Sequence, residues 1–165
     1  MNESSAKIVS TIAGAKDQFE DWFQLDLKKP HAIHIAVMVE PYLSYIFDGS
    51  KTAESRFTLN RIAPYKQATV GDLVFLKAGP IVGCFTIAWI KDFDLTEYPI
   101  ELIKEEYTDA ICVDETFWNE KRDKRYATLL GISKVCQLTP VEIPKKDRRA
   151  WVTISLHERI LKFFA

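Results

Sequence analysis

Gly49-Ser50-Lys51-Thr52-Ala53-Glu54-Ser55-Arg56 is a turn that closes one element and opens another, with three charged side chains in six positions. Just upstream, residues 40–48 read as a short helix. Pro41 suits its first position, where a missing N–H costs nothing, and Gly49 suits the left-handed residue past its end. Downstream, Ala53, Ser55, Phe57 and Leu59 alternate with Thr52, Glu54, Arg56, Thr58 and Asn60. A period of two is the mark of a strand with one apolar and one polar face. Glu54 and Arg56 therefore point the same way, and Lys51 sits before them near the negative end of the helix, where a cation is favoured.

The chain has 165 residues, enough for one well-packed domain and short for two. With 47% hydrophobic and 27% charged residues it falls among soluble globular proteins, and no apolar run approaches the roughly 18 residues that span a bilayer. The first residues lack a continuous apolar core, so they do not read as a secretory signal, and the expected location is cytoplasmic, away from membranes. Cys84, Cys112 and Cys136 are odd in number and far apart, which fits reduced structural thiols rather than disulfides or a zinc site. No cofactor and no metal is implied. A net charge of -1 argues against bulk adhesion to nucleic acid, so any such binding uses local patches.

Around the central stretch the pattern alternates between elements. Residues 4–25 carry Ile8, Ile12, Ala15, Phe19, Trp22 and Phe23 at helical spacing, opposite Lys16, Asp17, Glu20 and Asp21. Residues 33–39 form a β-branched strand leading to Pro41. Val70-Gly71-Asp72 turns into a strand over 73–77, and Gly79-Pro80 turns into another over 81–90, where Gly83 suggests a bulge or a close backbone approach. Helices are expected over 96–107 and from the N-cap Asp114 through Lys121. A strand over 126–138 ends at Pro140, residues 141–143 form a short edge segment, Trp151 opens a last strand and 156–164 a last helix. The fold class that follows is α+β: a small barrel of five or six mixed strands with peripheral helices.

The central stretch resembles the G-x-K-x-x-E-x-R signature of ASCH domains, which belong to the PUA-like β-barrel superfamily and are associated with RNA. The preceding helix, the Val70-Gly71-Asp72 turn and the Gly79-Pro80 hairpin are similar to that family's pattern, so the resemblance covers about residues 33–151. Residues 1–30 are then an N-terminal helical extension packed on the domain, and residues 31–165 the ASCH domain. The resemblance implies a barrel with a cleft beside the motif, where Lys51, Glu54 and Arg56 meet RNA or a nucleotide-like small molecule. Some family members hydrolyse the amide of an acetylated cytidine nucleoside with the motif lysine, a threonine three residues on and a later glutamate. This chain carries Glu54 at that third position. Other members are described as nucleases.

Several side chains compete for roles. Lys51, Glu54 and Arg56 are either a surface ion cluster, of which each pair contributes roughly 0–1 kcal/mol, or an anion-and-base reader in which Arg56 forks onto phosphate and Glu54 accepts an N–H. In an enzyme, the catalytic set is Lys51, Glu54 and Glu115, with Glu54 or Glu115 as the base and Lys51 needing a lowered pKa. Lys77 is either a solvated strand end or a ligand contact at the cleft mouth. Of Phe117 and Trp118 at least one faces the core; either can instead stack a base, and Trp118 is the expected ligand contact. Lys121-Arg122-Asp123-Lys124-Arg125 and Lys145-Lys146-Asp147-Arg148-Arg149 each hold four bases and one acid, and are either solvated ends or contacts to a nucleic-acid backbone. His31 and His34 sit on opposite faces of an extended segment and make no helical metal pair, and His157 has no evident partner. Three readings follow: an RNA- or nucleotide-binding ASCH domain, a hydrolase acting on a modified nucleoside or RNA, and a protein-interaction module that uses the N-terminal helix.

Overall fold

The structure, a computed structural model, describes residues 3–18, 32–144 and 148–156. His31, His157, residues 145–147 of the second basic run and residues 157–164 of the expected last helix lie outside them, as do residues 19–25 of the expected first helix.

A six-stranded mixed sheet, curled into a half-barrel, organises the described residues. Its strands are β1 (Ala32–Val37), β2 (Ala53–Thr58), β3 (Leu73–Lys77), β4 (Ile81–Asp94), β5 (Tyr126–Val141) and β6 (Trp151–Ser155), in the order β2-β5-β4-β3-β1-β6. β1 and β3 run parallel and every other pair antiparallel. Helix α1 (Glu3–Gly14), α2 (Tyr42–Asp48), α3 (Ile100–Ile111) and α4 (Glu115–Lys121) pack around it.

Alternation along the strands sends side chains to different packing units. Ile33, Ile35, Leu73 and Phe75 meet Ile8, Val9 and Ile12 of α1. The apolar face of α1 is thus occupied by the protein's own sheet. Ala36, Val74, Leu76, Phe85 and Ile87 face the other way, into the half-barrel, where Leu43 and Ile46 of α2 join them. A third cluster packs Ala53, Phe57, Ala127 and Leu129 under Ile103, Tyr107 and Ile111 of α3 and Trp118 of α4.

The elements match the expected ones with instructive shifts. Gly49 ends α2 at φ 84°, the left-handed conformation glycine adopts without strain. Gly83 lies at a register shift against β5, and a Cβ there would meet the Phe47 ring at 2.6 Å, so both expectations for it hold. α3 begins at Ile100 rather than near Thr96, because Asp94 folds the preceding residues into a turn by accepting the Thr96 N–H. Pro140 does not end β5, which runs on to pair Val141 with Ile81. β2 pairs with β5 only as far as Gly131, so Pro140 needs no N–H on that side. The three cysteines are free thiols, Cys84 buried and the other two half-buried. No helix among the described residues is long and apolar enough to cross a membrane.

Candidate functional site

β2 alternates as expected, but its polar face is turned inward. Ala53 and Phe57 go under the helices, while Glu54 pairs with Leu130 and Arg56 with Thr128 on the side of the half-barrel interior. The charged cluster is therefore not a surface one: Lys51 is 3% exposed and Glu54 5%. Lys51 Nζ lies 3.9 Å from Glu54 Oε1, and an Arg56 guanidinium nitrogen 3.8 Å from Glu54 Oε2.

Each member is held separately. Lys51 Nζ donates to the Ile111 carbonyl at 2.7 Å, satisfying an orphan acceptor at the end of α3. Its ammonium also stands 5.5 Å from the centre of the Tyr42 ring. Glu54 Oε1 accepts the neighbouring Ser55 N–H at 2.7 Å. Arg56 donates to the Val37 carbonyl at 3.0 Å and, at 3.5 Å, to that of Ala150. It also rests 5.2 Å from the Trp151 ring centre. Since β2 and β6 are the two end strands, this arginine clasps the open side of the sheet. Glu54 Oε2 and Arg56 Nε are buried without a hydrogen-bond partner among the described residues, a condition that costs about 1–3 kcal/mol per group and more for charged ones.

Burial pushes the Lys51 ammonium below its ordinary pKa of 10.5; Glu54 and Cys112 oppose that shift and Arg56 adds to it. Tyr42 is pushed up, first by desolvation and then by the charges of Asp114, Glu120 and Glu54.

The cluster forms the floor of a cavity of about 770 Å³. Its walls include the rings of Tyr42, Phe117 and Trp151, and among the described residues its lining holds five cations, Lys51, Arg56, Arg61, Lys121 and Arg149, against one carboxylate, Glu54. Lys121 opens the first basic run and Arg149 ends the second, so both runs contribute to the same cavity. Lys121 is held below its ordinary pKa by desolvation, then by Lys124 and, more weakly, by Arg56.

Of the residues singled out in the sequence, the structure gathers Lys51, Glu54 and Arg56 in this cavity and places three others elsewhere. Lys77 ends β3, where its carbonyl receives the Met38 N–H, and it is not part of the lining. Trp118 is 3% exposed and packs edge-on against Phe57, whereas its neighbour Phe117 lines the cavity. Glu115 pairs with Lys104 at 2.6 Å outside the cavity. Asp114 does cap α4, accepting the Phe117 N–H at 3.0 Å, and so sets where Phe117 points. Tyr42, Arg61 and Trp151 join the lining with no spacing signal to announce them; in the sequence Trp151 marks only the start of a strand.

No model of a known protein family matches the chain, and no curated protein matches it. Solved structures do. The chain is similar to the ASCH protein from Zymomonas mobilis, with 12% identity over 79% of this chain and 92% of that one and a TM-score of 0.61. A serine-to-alanine mutant of that ZmASCH protein gives 12% identity over 80% and 93%, with a TM-score of 0.60. At such identity the likeness is one of architecture: the chain shares the fold of that solved ASCH protein.

Proposed function

We propose that the chain binds RNA or a nucleotide-like ligand in the cavity over Lys51, Glu54 and Arg56. The observation that carries this reading is the lining itself: among the described residues, five cations against one carboxylate, with aromatic rings on the walls, in a protein whose net charge is -1. Cations suit phosphate and flat rings suit bases, the pairing by which unpaired RNA is held. Glu54, an acceptor only, suits a base N–H. Anisotropy of a labelled single-stranded RNA ten-mer tests it. Wild type binds at low salt and weakens as salt rises, and Lys121→Ala or Arg149→Ala each flattens the logarithmic salt slope by about 0.7. Neither substitution removes a member of the buried cluster, so the fold is kept. No binding of the RNA or of nucleoside monophosphates by wild type at low salt refutes the proposal.

A hydrolytic reading of the same cavity has one observation in its favour, the lowered pKa of Lys51 beside Glu54. Its test is product formation from acylated nucleosides and RNA, with and without divalent metal. Turnover by wild type that Glu54→Gln abolishes, measured well below that variant's melting temperature, supports it, and no product under any of these conditions removes it.

A further inference from the structure

Behind the Trp151 wall lies a second polar chain that the cavity's own contacts do not require. His34 and Asp72 are both 0% exposed, with His34 Nε2 2.8 Å from Asp72 Oδ2. Asp72 is itself oriented, since its Oδ1 accepts the Ala32 N–H at 3.2 Å and its Oδ2 the Thr69 N–H at 2.9 Å. On the other side of the imidazole, Trp151 Nε1 lies 3.1 Å from His34 Nδ1, and Thr153 Oγ1 lies 3.0 Å from the same nitrogen.

The direction of this chain follows from the groups. An indole N–H can only donate, so Nδ1 is an unprotonated acceptor and the ring proton sits on Nε2, facing Asp72. The ladder runs from two backbone amides through Asp72 and His34 to Trp151, and the Trp151 ring carries the Arg56 guanidinium at 5.2 Å. A buried polar pair is a poor source of stability compared with apolar residues of the same volume, and breaking one is costly. This pair ends at the wall of the cavity, on the ring that supports its arginine. Packing constrains the indole without regard to direction; a hydrogen bond at its far edge adds a directional constraint on its orientation.

We propose that His34 is a positioning residue for the cavity: by accepting the Trp151 N–H it fixes the indole, and through the indole it sets the Arg56 guanidinium. Asp72 holds the imidazole in the tautomer this requires. The binding consequence rests on the RNA reading above, whereas the positioning itself does not.

The test compares His34→Leu with His34→Gln. Gln offers a carbonyl to Trp151 and an N–H to Asp72; Leu fills the space and offers neither. In nitrogen–proton correlation spectra, the Trp151 indole signal, assigned with Trp151→Phe, is protected from solvent exchange in wild type. With His34→Leu it moves and loses protection, and the Arg56 Nε signal moves with it; His34→Gln restores both. Affinity for the RNA ten-mer falls about tenfold in His34→Leu, and His34→Gln recovers most of it. If His34→Leu does not fold, Trp151→Phe, which keeps an aromatic face and removes the donor, is expected to show the same Arg56 shift and the same loss of affinity. The proposal is overturned if Leu and Gln behave alike, if the Arg56 signal ignores the substitutions, or if wild-type-like affinity persists while the indole signal has moved. Should wild type bind no RNA, the functional reading fails and the Arg56 signal alone decides the positioning role.

Discussion

Glu54→Gln tests whether the buried charges form one balanced unit. The substitution keeps the shape and an oxygen for the Ser55 N–H, and removes the carboxylate charge from between Lys51 at 3.9 Å and Arg56 at 3.8 Å. At an effective dielectric of about 20, each contact corresponds to an attraction on the order of 4 kcal/mol, an upper bound before desolvation is returned. The carboxylate's own desolvation cost is relieved, and against that the buried Lys51 and the half-buried Arg56 are left facing each other. Removing one partner from a buried ionic cluster typically costs about 3–5 kcal/mol. In a domain of this size that lowers the melting temperature by roughly 6–20 °C, measured by calorimetry or circular dichroism. A cycle with Lys51→Met completes the assay, because the double variant removes an uncompensated cation along with the acid. It is expected to recover about 1–3 kcal/mol relative to the sum of the single changes. A melting temperature for Glu54→Gln equal to or above that of wild type, with additive energies in the cycle, refutes the idea that these charges hold one another in place.

Lys51→Met also yields a prediction with pH. The ammonium's pKa in the folded chain is below its ordinary 10.5, so its burial penalty is fully present at pH values below the folded pKa and vanishes as pH rises to 10.5. Wild type is therefore expected to gain stability relative to Lys51→Met between neutral and alkaline pH in urea melts; a gap that stays constant or moves the other way contradicts the assignment. Gly131→Ala places a Cβ 2.3 Å from the Trp89 ring, which itself lies tilted against Tyr107 with ring centres 5.8 Å apart. We expect a loss of about 1–3 kcal/mol in urea melts, smaller when Trp89→Leu is present to make room, and an unchanged stability excludes so close an approach.

The sequence made the alternation of β2 legible and with it the convergence of Glu54 and Arg56, because side-chain period depends only on the strand itself. It did not reveal which face is inside. A polar face ordinarily meets water, and only the curl of the whole sheet, which brings β2 opposite Val37 and Ala150, reverses that for Arg56. The adjacent rings Phe117 and Trp118 show the same limit: their neighbourhood demanded that one turn inward, and the choice was fixed by Phe57 and α3, which are remote in sequence. His34 and Asp72 are separated by 38 residues and carried no spacing signal. A histidine within an otherwise apolar strand was the available hint, since a buried imidazole needs a partner. The basic runs were visible as charge, and the loop and helix that bring Lys121 and Arg149 to one cavity were not.

The length of β5 has a thermodynamic consequence. Ala127 and Leu129 belong to the unit under α3 and α4, Leu130 to the half-barrel interior, and Leu138 to the unit under α1. One continuous strand thus threads all three hydrophobic units and couples them through its backbone. Slow hydrogen exchange along β5 should report a single global opening, so that a lesion beneath α1 loosens the distant cavity by lowering the stability of the whole domain rather than by any contact with it.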